Sequence, residues 1–326
     1  MSRSDAKREQ GGSWSDQGAG VKVGGVVKGG IATAAIALAG FLIYRTLSGY
    51  SWQELLDAVL TVPGARLGGA LAFAAASYAC LTLFDFLALK YAGKPLAYRR
   101  AAVASFTSLS LGHTIGLAAL SSGAVRYRFY SRWGLDAQDL AKVILFCGAT
   151  VGLGLATLAG LVLLAAPDTA ARMTGLGRSL MLGLGAAGLF VPSLYLLLAW
   201  RLRAPLQIRA WSFQLPPVKL AAGQILVGTV NFALVAACLY QALAAVAEVK
   251  YLGVVSAYVA ANAASLISHV PGGLGVMESV VQYLIPGKDL IGPLLVFRFA
   301  YFLVPLMLGT LVLLVSEGVA RRKAPA

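Results

Sequence analysis

The sequence predicts an all-α, polytopic integral membrane protein with about six full spans and two re-entrant helical hairpins. Three observations predict this fold class. Of the 326 residues, 59% are hydrophobic and only 12% are charged, and the mean hydropathy is +0.77. About a quarter of an ordinary globular chain is charged, so this composition excludes a soluble protein. The third observation is that the apolar residues fall in eight separate stretches of the length that suits a bilayer.

The apolar stretches follow a polar segment. Residues 1–25 are rich in Gly and Ser, and we expect a flexible cytoplasmic tail there, followed by a single transmembrane domain over 26–326. A helix needs about 20 residues to cross about 30 Å of hydrocarbon, and most of the stretches reach that length. They lie roughly at 29–47, 67–91, 101–120, 142–166, 179–200, 220–247, 252–285 and 291–316.

Two local patterns accompany the stretches. Gly148 and Gly152, continued by Ala156 and Gly160, form a row of small residues that favours close packing of helices in lipid. The segment 201–219 is basic with apolar residues between the charges, which is typical of either an in-plane helix or a loop.

Two segments, 101–133 and 252–285, contain a Gly-rich turn, predicted at 121–123 in the first and at 271–275 in the second. The limb after each turn has about ten residues and covers about 15 Å at 1.5 Å per residue, which is half of the hydrocarbon thickness. We therefore predict re-entrant hairpins over 101–133 and 252–285.

The distribution of Lys and Arg supports the two hairpins. Eight simple spans would place 15 of the 27 basic residues inside, whereas six spans with two hairpins place 19 inside and leave Arg126 and Arg298 within the membrane. This topology puts both termini in the cytoplasm. Because 101–120 is long enough to span, a re-entrant limb there requires a tilt or a break near Gly112 or Gly116.

The two hairpins also predict an inverted repeat. The segments 123–126 (GAVR) and 275–278 (GVME) each follow a predicted turn, and the two histidines of the chain, His113 and His269, each precede one. Since one hairpin enters from each side, the broken helices would meet near the midplane, as in many transporters.

Arg126 is the most informative of the few ionisable residues inside the apolar stretches. In the predicted hairpin it lies in the first turn of a half-helix, beside the unpaired backbone N–H groups of Ser122 and Gly123. A cation at this positive end of a helix needs an anion. That anion is either Glu278 of the other hairpin, as a structural ion pair, or a phosphate of the substrate.

The other charged residues leave more than one interpretation open. Glu278 is a helix cap, a partner of Arg126, an acceptor for a substrate ammonium or a protonatable coupling site. Arg298 shares a helix face with Tyr301 and either neutralises Glu278 or holds phosphate. Asp85 is near the cytoplasmic end of its span, where Lys90 is a candidate partner.

Four further residues complete the candidate substrate-binding site. His113 and His269 are either satisfied core residues or functional groups, and their symmetric placement favours the second interpretation. Gly272 and Gly273 most simply permit the sharp turn, because glycine tolerates positive φ.

The sequence argues against an enzyme. No nucleophile elbow, phosphate loop or metalloprotease motif is present in a suitable context, so we expect no catalytic residues, cofactor or metal. The three cysteines, Cys80, Cys147 and Cys238, lie singly in apolar runs and suit a core. The net charge of +14 is better explained by topology and by anionic lipid headgroups at the cytoplasmic face than by nucleic acid.

Three segments carry a resemblance to a known family. FDFLALKYAGKPLAYRRAAVASFTSLSLGHTIGLAALSSGAVRYRFYSRWGL (84–135), HVPGGLGVMESVV (269–281) and FRFAYFLVPLMLG (297–309) resemble the transmembrane flippase region of lysylphosphatidylglycerol synthase, the multiple peptide resistance factor. The resemblance extends from about residue 30 to 318. Full-length members also carry a cytoplasmic domain that aminoacylates phosphatidylglycerol, and with the chain ending at Ala326 we expect a stand-alone member without it.

The resemblance implies a lipid flippase of the bacterial inner membrane. Its substrate would be an anionic or aminoacylated phospholipid such as lysylphosphatidylglycerol. Stand-alone relatives are associated with export of other lipids, so a hopanoid or a glycolipid is an alternative substrate. A further alternative is a membrane subunit that works with a separate lipid synthase.

Overall fold

The fold is described by a computed structural model over residues 52–113, 118–202, 206–208, 211–268, 273–285 and 290–322. The predicted tail and the apolar stretch at 29–47 lie outside these residues. The helices in chain order are α1 (Trp52–Thr61), α2 (Gly64–Tyr91), α3 (Tyr98–Gly112), α4 (Ala118–Tyr130), α5 (Ala137–Ala165), α6 (Pro167–Thr174), α7 (Arg178–Arg201), α8 (Val218–Leu243), α9 (Tyr251–Ser268), α10 (Val276–Leu284), α11 (Ile291–Arg298) and α12 (Val304–Arg322).

Six of the described helical segments are long and apolar enough to cross a membrane, which confirms the predicted class of an all-α, polytopic membrane protein. They are α2, α5, α7, α8, α9 and the continuous segment Ile291–Val319. That last segment joins α11 to α12 through a π-helical turn, Phe299–Leu303. Pro305, which has no N–H to donate, lies two residues after the turn, and π turns of this kind concentrate at functional sites.

The centre of the fold is the packing of α2 along α8, with α5 against both α7 and α8. α3 lies against α2 and α12, and α9 packs on α10. In the basic segment after α7, Leu206–Ile208 and Trp211–Phe213 pair as two short antiparallel strands, so its described residues do not form an in-plane helix.

The closest helix contacts occur at glycines, although not at the first two that the sequence singled out. No described residue of a neighbouring helix lies within 4 Å of the position that a Cβ would take at Gly148 or Gly152. The close approach of α5 to α8 is instead at Gly154, where a Cβ would lie 2.4 Å from the backbone carbon of Gly228. Gly160 does pack closely, as predicted, against α7 at Gly185. The small-residue row is therefore used on the face that meets α7 and α8.

This packing makes Gly154→Ala destabilising by about 1–3 kcal/mol, because the new methyl group must push two helix backbones apart. Gly148→Ala on the same helix is the matched control. It should be neutral or stabilising by up to about 1 kcal/mol, since alanine favours a helix and no described residue of a neighbouring helix lies within 4 Å of the new Cβ. Unfolding in mixed micelles, followed by far-UV circular dichroism, measures both. Equal stability of the two variants would contradict the α5–α8 contact.

Both predicted hairpin segments form broken helix pairs, α3 with α4 and α9 with α10. The break in the first pair was predicted in the wrong place. α3 ends at Gly112, where the sequence offered a break, and α4 already begins at Ala118, so the predicted turn at 121–123 is helical. Gly123 allows α4 to approach α5, because a Cβ there would lie 3.2 Å from Ile144 Cδ1.

This correction also changes the predicted repeat. Gly123 lies inside a helix, whereas Gly275 has φ of +78° and is the N-cap of α10. The segments 123–126 and 275–278 therefore do not occupy equivalent places. The recurrence of a broken helix pair stands, whereas re-entry of the two pairs and their inverted symmetry stay predictions.

The short helix α3 is unusually polar for a membrane segment. Its buried serines satisfy their hydroxyl groups on backbone carbonyls, with Ser105 donating to Leu81 O at 3.0 Å and Ser110 to Thr107 O at 3.1 Å. Ser108 donates to Ala104 O. These bonds allow α3 to be buried without unpaired serine hydroxyls.

Helix α5 begins with a capping box outside the apolar run. The Asp139 N–H donates to Asp136 Oδ1 at 2.8 Å, and this bond lowers the pKa of the exposed Asp136 carboxyl. Asp139 in turn forms an ion pair with Lys94 at 3.3 Å. This ion pair connects the start of α5 to the loop that follows α2.

Candidate functional site

Arg126 is the centre of a buried ion-pair cluster between α2, α4 and α5. Its Nε donates to Asp85 Oδ2 at 2.9 Å and its second terminal nitrogen to Asp85 Oδ1 at 2.7 Å, a bidentate pair. The remaining nitrogen donates to Ser122 Oγ at 2.8 Å. Tyr130 OH donates to Asp85 Oδ2 at 2.6 Å, and the Cys147 thiol lies 3.5 Å from Oδ1.

This cluster corrects two sequence predictions. The partner of Arg126 is Asp85 and not Glu278, and Lys90 instead places its ammonium over the Phe86 ring at 4.3 Å. Arg126 also lies in the third turn of α4, since the helix begins at Ala118. The helix N-terminus therefore does not act on its guanidinium, and the backbone of Ser122 and Gly123 is already part of the helix.

Glu278 and Arg298 form a second ion pair, between α10 and α11. Arg298 Nε donates to Glu278 Oε1, and a terminal nitrogen donates to Oε2 at 2.9 Å. The same nitrogen reaches the carbonyl oxygen of Gly273 at 3.1 Å. The neutralisation of Glu278 by Arg298, which the sequence offered as one interpretation, is what the structure contains.

Glu278 is at the same time a helix cap. Its Oε2 accepts the N–H of Gly275 at 2.9 Å, which closes a capping box at the start of α10. Gly273 and Gly275 both have positive φ, at +59° and +78°, as the predicted turn requires. Gly272 and His269 lie outside the described residues.

A cluster of hydroxyl and aromatic groups lies between α2, α3 and the π turn. Tyr301 stacks on the His113 ring with centroids 6.3 Å apart, and Tyr78 OH is 3.5 Å from His113 Nδ1. Ser77 Oγ is 3.3 Å from Tyr301 OH and donates to Asn231 Oδ1 at 2.7 Å. The structure thus brings His113 and Tyr301 together, although they are far apart in sequence.

The end of α12 holds a third ionic cluster that the sequence analysis missed. Glu317 accepts from Arg128 at 2.7 Å and also from Arg132, so one carboxylate joins α12 to the end of α4. The signal was available, because Glu317 is an acidic residue close after an apolar stretch. The two arginines that pair with Glu317 could not be predicted from the sequence, since their positions depend on the break between α3 and α4.

Comparisons with known proteins identify relatives of this chain. The chain is 32% identical over 302 residues to the uncharacterized protein slr0712 of Synechocystis, covering 90% of this chain and 94% of that protein. The chain therefore belongs to the same family as slr0712. It is also 27% identical over 277 residues to the inner membrane protein YbhN of Escherichia coli, covering 83% of this chain and 86% of YbhN. Neither name denotes a catalytic activity.

The third group of relatives bears out the resemblance that the sequence motifs indicated. Phosphatidylglycerol lysyltransferase of Staphylococcus aureus is 22% identical over 312 residues, covering 93% of this chain and 35% of that protein. No family model matches the chain. Together with the six apolar helices, the relation to YbhN identifies a multi-pass inner membrane protein.

Proposed function

We propose that this protein moves an anionic or aminoacylated phospholipid, such as lysylphosphatidylglycerol, between the leaflets of the inner membrane. The observation that carries the proposal is the presence of two Arg–carboxylate pairs, one buried and one partly buried, each involving a broken helix pair. Charges inside a membrane domain are costly, and they mark substrate pathways more often than they serve stability. The relation to phosphatidylglycerol lysyltransferase supports a lipid with a phosphate headgroup.

In this proposal the two ion pairs are the resting form of the headgroup site. Arg126 donates from all three of its nitrogens to Asp85 and Ser122, so a phosphate can bind there only by competing with the carboxylate. Arg298 is held in the same way by Glu278. A headgroup that carries both phosphate and ammonium can replace both partners of such a pair, because it brings charges of each sign.

Alternating access then needs the broken helix pairs to move. α4 and α10 are the shorter limbs, with 13 and nine residues, and each carries one member of an ion pair. Opening of one pair frees its limb to tilt and exposes the site to one side. Re-entrant limbs, an inverted repeat and cytoplasmic termini are part of this proposal, and the excess of basic residues predicted inside supports the orientation.

The decisive measurement is leaflet exchange in proteoliposomes. Fluorescent phosphatidylglycerol, its lysyl form and phosphatidylcholine would be offered to wild-type protein, with protein-free liposomes as the control. We expect selective exchange of one phosphate-bearing class, at least tenfold above the protein-free rate. Correctly folded protein that exchanges none of the three would contradict a phospholipid flippase.

The second candidate function is membrane partner of a lipid synthase, which the name of the Staphylococcus aureus relatives favours. Deletion of the gene separates the two functions. A flippase changes the sidedness of the lipid and leaves its total amount, whereas a synthase subunit changes the total amount of modified lipid.

A further inference from the structure

A groove of about 470 Å³ lies between α2, α3 and the segment formed by the π turn and α12. Its lining is apolar apart from the hydroxyl groups of Tyr78, Thr82 and Tyr98. Tyr98, Val103 and Leu308 on its rim are 40–49% exposed, so the groove opens on the outer surface of the helix bundle. In a membrane protein that surface faces lipid.

The shape of the groove follows from small residues and from the irregular part of the last span. α2 presents alanines to it, including Ala75 and Ala79, which leave space beside the helix. α12 meets α3 closely at Gly309, where a Cβ would lie 1.8 Å from Ser110 Oγ. The π turn and Pro305 precede that contact and also line the groove, so the last span packs against α3 at one point and leaves the groove beside it.

The length of the groove matches one acyl chain. Its lining on α2 runs from Leu71 to Thr82, and 11 steps of 1.5 Å give about 16 Å. Half of the hydrocarbon core of a bilayer is about 15 Å thick, which is the depth that the chains of one leaflet occupy. A volume of this size is within the range of pockets that hold small apolar ligands.

One end of the groove is polar, and two basic residues follow it at the start of α3. Thr82 Oγ1 and Tyr98 OH are 2.7 Å apart there, and the next two residues, Arg99 and Arg100, are exposed. Arg100 lies over the Trp133 ring at 5.7 Å. Arg99 has no ion pair within the described part of the chain. A ligand whose chain fills the groove would therefore have a guanidinium without an ion pair one residue along α3 from the polar end.

We propose that this groove binds one acyl chain of an anionic phospholipid, with the headgroup phosphate on Arg99. The inference rests on the proposed function in one respect, since it takes the lipid to be the translocated substrate. Tyr78 connects the groove to the interior, because it lines the groove and contacts both His113 and the carbonyl oxygen of Tyr301. The chain stays in the groove while the headgroup passes inward by way of Tyr78.

Native mass spectrometry of the purified protein tests the binding without any transport step. Phosphatidylglycerol and phosphatidylcholine are added in equal amounts, and the lipid that survives mild activation is counted. We expect one retained phosphatidylglycerol, favoured at least tenfold over phosphatidylcholine. Ala79→Phe should lower its retention at least tenfold by filling the groove, and Ala187→Phe on the exposed face of α7 is the matched control.

The proposed contact between Arg99 and the headgroup phosphate is tested by the preference for phosphatidylglycerol over phosphatidylcholine. Arg99→Gln should bring the preference for phosphatidylglycerol down to about equal binding of the two lipids, and Arg99→Lys should keep it. Equal loss in Ala79→Phe and Ala187→Phe, or an unchanged preference in Arg99→Gln, would overturn the inference.

Failure of the groove proposal and failure of the flippase proposal give different results. If wild-type protein retains the lipid in the groove but no phospholipid exchanges between leaflets, the groove stands and the flippase proposal fails. If exchange is measured while Ala79→Phe binds and exchanges lipid normally, the flippase stands and the groove proposal fails.

Discussion

Arg126→Ala should destabilise the protein by about 3–5 kcal/mol, because it leaves the Asp85 carboxylate buried without a counter-ion. The two side chains are only 3% and 0% exposed, so water cannot replace the lost partner. Tyr130 and Cys147 remain near the carboxylate, but neither carries a positive charge. Unfolding in mixed micelles measures the loss.

Two variants control this result. Arg178→Ala removes an arginine from an exposed ion pair with Asp168, at 64% and 62% exposure, and should cost no more than about 1 kcal/mol. The double variant Asp85→Asn with Arg126→Gln removes both charges of the buried pair and keeps hydrogen-bonding groups, so it should recover most of the stability. A double variant as unstable as Arg126→Ala would show that the charge pairing is not what matters.

The double variant also separates structure from function. If Arg126 holds the headgroup phosphate, this folded protein should show no leaflet exchange above protein-free liposomes. Normal exchange by it would mean that the Arg126–Asp85 pair serves only the packing of α2, α4 and α5.

Glu278→Gln should lower the exchange of lysylphosphatidylglycerol roughly ten- to a hundredfold more than that of phosphatidylglycerol. The reason is that a carboxylate that meets the lysyl ammonium contributes a charged hydrogen bond, worth about 1.5–3 kcal/mol. The carboxylate is 18% exposed beside an Arg298 side chain that is 6% exposed, so it is within reach of a headgroup. Exchange of the two lipids in parallel gives the ratio directly.

The capping role of Glu278 needs a separate control. Gln can still accept the Gly275 N–H, whereas Ala cannot, so Glu278→Ala should be less stable than Glu278→Gln by about 0.5–2 kcal/mol. If the two lipids lose exchange equally in Glu278→Gln, Glu278 acts on Arg298 and not on the substrate amine.

The sequence by itself determined the class of the protein and showed which ionisable residues lie inside its apolar stretches. Length and hydropathy are properties of single segments, so the apolar helices and the start of α10 near Gly275 could be predicted from local pattern. The same holds for the Glu278 cap, because a capping box joins residues three apart. The family motifs added the relation to the lysyltransferase.

The tertiary structure alone decided which groups meet. Asp85 and Arg126 are 41 residues apart, and no local rule joins them; their pairing depends on how α4 packs on α5, which itself packs on α2. The same packing made 121–123 helical, since Gly123 was needed against Ile144 and not for a turn. It also moved the close helix contact from Gly148 to Gly154. A glycine permits both a turn and a close contact, and only the neighbouring helix determines which of the two it serves.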